Sequence, residues 1–178
     1  MIAQERRWAT GGRGEEAVAR ALARSCPAVA MLHDRCIPGQ RANIDHIAVA
    51  ASGVYVIDTK RYRGRIEVRG ALFGSPTLRI AGRDQSKLVD GLARQIAAVQ
   101  TALADAGLDA AVHGCFCFVA PEGLFADAGL PLLRTLQVNG YRLFKPRRLA
   151  RYLNRPGPYT AERVSRIQRE LAARLPPA

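Results

Sequence analysis

The stretch NIDHIAVAASGVYVIDTK, residues 43–60, decides how this chain is read. Two alternating runs, NIDHIAVA and VYVIDTK, flank the short turn signal ASG, and strands joined so tightly pair as an antiparallel hairpin. In the second run Val54, Val56, Asp58 and Lys60 share one face, because strand side chains alternate with a period of two. An acid and a lysine therefore stand where the next two core residues belong.

Turn geometry converts this pattern into distance. With Ala51-Ser52 as a two-residue loop, Ala50 pairs with Gly53 and Asp45 lies opposite Asp58; with Ser52-Gly53 as the loop, Asp45 faces Lys60. In both registers Asp45, Asp58 and Lys60 share a face, and directly opposed β-carbons lie about 4.5–5.5 Å apart. Two carboxylates so close repel unless one takes a proton or a cation lies between them. A hard divalent ion, Mg2+ or Mn2+, suits oxygen ligands and uses only one or two protein carboxylates. Lys60 would then orient or deprotonate a water, or stabilise charge on a phosphate. The plainer reading is a salt bridge from Asp45 to Lys60 with Asp58 exposed, and a lone D-x-K tripeptide does not decide between the two.

Upstream, TGGRGEEAVARALARS (residues 10–25) turns from glycine-rich to helical, with Glu15, Val18 and Leu22 on one stripe. Glu15 thus faces inward, as a further candidate metal ligand, and Glu16 faces water. AVAMLHDRCI (residues 28–37) reads as a first strand, closed by Pro38-Gly39. Downstream, Arg65 to Arg69 adds a short strand, residues 70 to 83 look like an irregular surface excursion, and a helix runs from about Asp84 to Ala106. Gln95 lies on the stripe of Leu92 and Val99, within reach of the same pocket, and Gly107 stops the helix. VHGCFCFVA (residues 112–120) gives a central strand. The order predicts an α/β fold, a mixed central sheet flanked by helices with an αβββαβ core, over residues 10–120.

Residues 121–178 read as a C-terminal extension of a single domain spanning 1–178. It holds a strand within Leu136 to Phe144, a basic helix over Pro146 to Leu153, and a last helix capped by Thr160. That helix lines up Val164, Ile167, Leu171 and Leu175, a stripe suited to docking on the core or to oligomerisation.

The net charge of +12 favours a polyanionic partner, nucleic acid first and acidic membrane surfaces second. Lys60, Lys87 and Lys145 are the only lysines among 27 basic residues, and lysine, unlike arginine, can give up its proton in an altered environment. Arg61, Tyr62, Arg63 and Arg65 follow Lys60 directly, offering guanidiniums to phosphates and one ring to a base; the alternative is arginines that solvate an edge strand. Arg147, Arg148 and Arg151 form a second candidate backbone contact. MIAQERRWATGG has no long apolar stretch behind its charges and nowhere do eighteen uninterrupted apolar residues occur, so a soluble, cytoplasmic protein is expected. Cys26, Cys36, Cys115 and Cys117 lack C-x-x-C spacing and read as reduced thiols rather than zinc ligands. His46 points away from Asp45 and reads as structural, while His33 and His113 have no visible partner.

GRGEEAVARAL, ANIDHIAVAASGVYVIDTKRYRGRI and RQIAAVQTAL, in this order, resemble the nuclease-related domain (NERD) family of the PD-(D/E)XK nuclease superfamily over roughly residues 10 to 120. The resemblance implies a site of Glu15, Asp45, Asp58 and Lys60, with Gln95 accessory, and Mg2+-dependent hydrolysis of DNA. Many relatives have glutamate where this chain has Asp58, and the shorter acid draws the carboxylate toward the backbone. The alternative function is a nucleic-acid-binding module on the same scaffold with little or no turnover.

Overall fold

The structure, a computed structural model, describes residues 16, 18–62, 64–70, 76–120, 129–131 and 135–178. A helix over residues 18–25 (α1) leads into three antiparallel strands, β1 (Ala30–Cys36), β2 (Asn43–Ala50) and β3 (Gly53–Arg61). The hairpin takes the Ala51-Ser52 register, with Ala50 paired to Gly53 and Val49 to Val54. Gly53 sits at φ +139°, a conformation closed to most L side chains, and a β-carbon there would press on the Ala111 carbonyl oxygen at 3.1 Å. The turn sequence thereby fixes the register, and the register fixes which side chains meet.

After β3 the chain builds a small separate sheet from β4 (Ile66–Arg69), β5 (Thr77–Ile80) and β6 (Arg83–Asp84). The 70–83 segment, expected to be irregular, therefore carries a strand whose Leu78 and Ile80 are buried with Ile66. Burial of that apolar edge against α2 (Ser86–Asp105) outweighs the local turn signals of Pro76 and Gly82. Asp84 accepts the Ser86 amide hydrogen bond at the start of α2 (2.8 Å), satisfying one donor that the helix leaves open.

From α2 the chain enters β7 (Val112–Val119), which runs parallel to β3 from Val54↔Val112 to Arg61↔Val119. β8 (Gln137–Val138) and β9 (Tyr141–Phe144) form a tight hairpin, and β9 runs parallel to β7. The six-stranded mixed sheet has the order β1-β2-β3-β7-β9-β8, so β3 is central and its one arginine, Arg61, does not lie on an edge strand. α3 (Pro146–Leu153) and α4 (Ala161–Arg174) complete the chain.

Alternation on the strands builds two layers of core. Ile47, Val49, Val54, Val56, Phe116 and Phe118 pack toward α2 and α4. Ala48, Ala50, Tyr55, Ile57, Cys115 and Cys117 pack toward α1 and α3. Val164, Ile167 and Leu171 of α4 are buried on this chain's own core, against α2 and β1, and Thr160 caps the helix by accepting from the Arg163 amide. The stripe considered for oligomerisation is thus used internally. All four cysteines are free. Among the described residues no helix is long and apolar enough to cross a membrane.

Candidate active site

The ladder between β2 and β3 stops at His46↔Ile57. One residue further on, the Asp45 carboxylate rather than a backbone carbonyl accepts the Thr59 amide hydrogen bond, at 2.8 Å. The carboxylate is inserted where the strands part, at the carboxyl end of the central strand. Ligand sites of open α/β sheets lie at this end, because helices cover the faces but leave the strand ends clear.

Asp58 is only 3 % exposed on the face of Val54 and Val56, and Lys60 follows on the same side. The Lys60 ammonium contacts Asp58 Oδ1 directly and lies 3.9 Å from Asp45 Oδ2. The alternative with Asp58 exposed does not hold. A unit-charge pair near 4 Å is worth about 4 kcal/mol at an effective dielectric of about 20, whereas removing an ion from water costs several kcal/mol. For Asp58 burial wins: desolvation, opposed by Lys60 and reinforced by Asp45, pushes its carboxyl up to about 7. Asp45 is raised by the same desolvation, against the pull of Lys60 and the Thr59 amide. Burial would lower Lys60, but the charges of Asp58 and Asp45 outweigh it and hold its ammonium above the usual lysine range.

Gln95 of α2 is buried and donates from Nε2 to the Asn43 carbonyl at 3.3 Å, which pins α2 to the start of β2 two residues from Asp45. Its Oε1 is buried with no hydrogen-bond partner among the described residues. Glu15 and Arg63 lie outside the described residues. Arg61 and Tyr62 are half-buried at and just beyond the end of β3, and Tyr62 packs against the core. Arg65 is directed elsewhere, pairing with Glu67 at 3.1 Å on the surface of the small sheet.

Asp45 and Asp58 together offer oxygen donors of the kind a hard divalent ion takes, and with Lys60 they crowd three charges into a mostly dry space. Such a set fits Mg2+ or Mn2+, which keep waters to fill their remaining positions. Among the described residues no group of three or more His, Cys, Asp or Glu side chains is placed to hold a metal, so Asp45 and Asp58 are the candidate donors there.

A second polar pair escaped the reading of the sequence. His33 and His46, paired across β1 and β2, bring their Nδ1 atoms to 2.9 Å, so one ring donates and the other accepts. Burial, then the neighbouring His33, lowers His46 to about 3. His113 also has a neighbour, stacking 5.1 Å from the Tyr55 ring. Both contacts depend on strand register.

A search of curated proteins and one of solved structures gave no match. The family model of the nuclease-related domain matches residues 10–119, a span that holds Glu15, the hairpin with Asp45, Asp58 and Lys60, Gln95 and all of β7. The chain belongs to the nuclease-related domain family.

Proposed function

We propose that this protein hydrolyses phosphodiester bonds in DNA with the help of Mg2+, or Mn2+ in its place. The observation that carries this reading is the convergence of Asp45, Asp58 and Lys60 at the carboxyl end of the central strand, with Asp58 buried and raised to about 7. Asp45 and Asp58 would hold the ion, and Glu15 would add a third carboxylate. When bound, the ion supplies positive charge that polarises a phosphate and acidifies water.

The chain's own residues do the rest. The Thr59 amide fixes one oxygen of Asp45 and so holds the carboxylate beside Asp58. Lys60 presents its ammonium to the developing negative charge on a non-bridging oxygen, the preorganised stabilisation that contributes most in a water-poor site. Gln95 locks the start of β2 and keeps an unpaired carbonyl oxygen with which to orient water. Arg61, at the end of β3, would contact the phosphate backbone, while Tyr62 packs on the core beside it.

A second reading follows from one observation. Lys60 already neutralises Asp58 and lies near Asp45, so the site is self-compensated and the scaffold would serve as a nucleic-acid-binding module with little turnover. One experiment separates the two. Linear, circular and single-stranded DNA are incubated with Mg2+, Mn2+ or chelator, using wild type, Asp58→Asn and Lys60→Ala. Hydrolysis predicts metal-dependent cleavage lost in both variants while DNA affinity persists. Full cleavage by both variants overturns the site assignment, and salt-sensitive binding without cleavage favours the module.

A further inference from the structure

From Gln137 to Ala161 the chain has no acidic residue, yet it carries Arg142, Lys145, Arg147, Arg148, Arg151 and Arg155. The fold concentrates this charge. At 100° per residue, Arg147, Arg148 and Arg151 fall within an arc of about 100° on α3, opposite the buried Pro146, Leu149, Ala150 and Leu153. Arg147 and Arg151 are exposed and Arg148 is partly so.

Register places this stripe relative to the site. Lys60 pairs with Phe118 and Cys117 pairs with Phe144. Lys145 therefore leaves the sheet level with Lys60, two strand spacings or about 10 Å away. α3 covers the sheet face opposite Asp58 and Lys60, and Arg61, by alternation, turns toward that face. The stripe then runs back along the sheet for about 12 Å at 1.5 Å per residue, enough for about two phosphates of a single strand, which is more extended than the 3.4 Å per step of a duplex.

At its far end lies a pocket of about 400 Å³, lined on the α3 side of the sheet by Tyr55, His113, Arg142 and Tyr152, with Tyr141 reaching it from the α2 side. It forms because β9 pairs with β7 only from Cys115 onward, leaving Val112 to Gly114 without a strand on that side. Arg155 and Arg142 lie over the Tyr152 ring at 3.6 and 5.3 Å. Aromatic rings rimmed by guanidiniums suit an unstacked base on an anionic backbone.

We propose that a single strand of nucleic acid passes from the Lys60 end of the sheet over Arg61, along the outer face of α3, and seats a base in this aromatic pocket. The path rests on Lys60 marking the phosphodiester site, but its binding elements are separate from that chemistry. The test is fluorescence anisotropy of the full chain in chelator across a salt series. Its probes are labelled oligothymidylate, an abasic strand of equal length, the duplex, and anionic phosphatidylserine vesicles.

Wild type should bind oligothymidylate about tenfold tighter than the abasic strand. The double variant Arg148→Ala, Arg151→Ala should flatten the salt slope by about 1.4, at about 0.7 per lost contact on a single strand. Tyr152→Ala should erase the base preference and Tyr152→Phe should keep it, with thermal melts checking that both fold. An unchanged salt slope overturns the track, equal affinity for the abasic strand overturns the pocket, and a double variant that loses only vesicle binding assigns the stripe to membranes instead. Because chelator is present throughout, the binding readout is independent of cleavage: these changes in a protein that shows no cleavage in the separate assay with added Mg2+ would support the path while removing the hydrolytic reading.

Discussion

The Asp45 carboxylate takes the Thr59 amide hydrogen bond at 2.8 Å, in the place where the β2–β3 ladder would otherwise continue. One oxygen thus serves the backbone, while the carboxyl group also shares a side-chain hydrogen bond with Asp58. Asparagine keeps an acceptor in that position and alanine does not. Asp45→Ala should therefore lose about 1–3 kcal/mol in urea unfolding, the cost of a buried amide left without an acceptor, whereas Asp45→Asn should lose much less. Both should abolish Mg2+-dependent cleavage. Equal stability of the two variants would show that the amide bond does not hold the strands at this point.

What was legible in the sequence was local. The turn sequence left two registers open, but in either one the period of two brings Asp45, Asp58 and Lys60 to one face; the Ala51-Ser52 register is the one the fold takes. β5 was missed because Pro76 and Gly82 signal loops locally, while the burial of Leu78 and Ile80 depends on a partner strand and on α2. The edge-strand reading did not hold for Arg61, for a related reason. The second neighbour of β3 is β7, which arrives only after a helical crossover, and no spacing within β3 announces it. The His33–His46 pair needed the β1–β2 register, set by a longer connection whose length does not fix the pairing. The isolated bridge of Arg35 to Pro177 was equally invisible, since it joins opposite ends of the chain.

Asp58 gives the metal-free protein a pH dependence of definite sign. Its carboxyl is held at about 7 in the folded chain, chiefly by burial, against about 3.9 when unfolded. A raised carboxyl pKa contributes stability that is complete below about pH 4 and is lost as pH rises to about 7. Wild type should therefore lose more stability than Asp58→Asn over this window in thermal melts with chelator. A divalent ion at the two carboxylates opposes the loss, so Mg2+ should raise the melting temperature more at pH 8 than at pH 5. A shift that is the same at both pH values, or that survives in Asp58→Asn, would place the ion elsewhere.

His46 acts in the opposite direction. Its imidazole is buried against His33 and lowered to about 3, and burial, with Arg35 adding to it, lowers His33 as well. A depressed histidine contributes stability that is present above about 6.5 and is lost as pH falls toward about 3. In wild type this acid loss partly cancels the Asp58 slope. The difference between His46→Leu and wild type isolates it: the variant should show the smaller decline in melting temperature from pH 7 to pH 4. Parallel declines would mean that the pair takes up no proton on unfolding.

The register that assembles the site is itself clamped from a distance. The Tyr159 amide donates to the Ala51 carbonyl at 2.9 Å, so the 157–159 segment lies across the β2–β3 turn. Gly157 makes that approach possible, because a β-carbon there would run into the Ala51 carbonyl and the Ser52 α-carbon. Both obstacles are backbone, and neither can swing aside as a flexible side chain would. Gly157→Ala should destabilise the protein by about 1–3 kcal/mol, as overpacking does, and should loosen the turn. Hydrogen exchange should quicken first at the Tyr159 and Gly53 amides, while α2 amides far from the turn keep their protection. Cleavage should fall with the turn, because a slip of β2 by one residue against β3, as a three-residue loop would give, carries Asp45 from one side of the sheet to the other. Unchanged exchange at Tyr159 in a variant of wild-type stability would mean that the turn holds its register without the clamp.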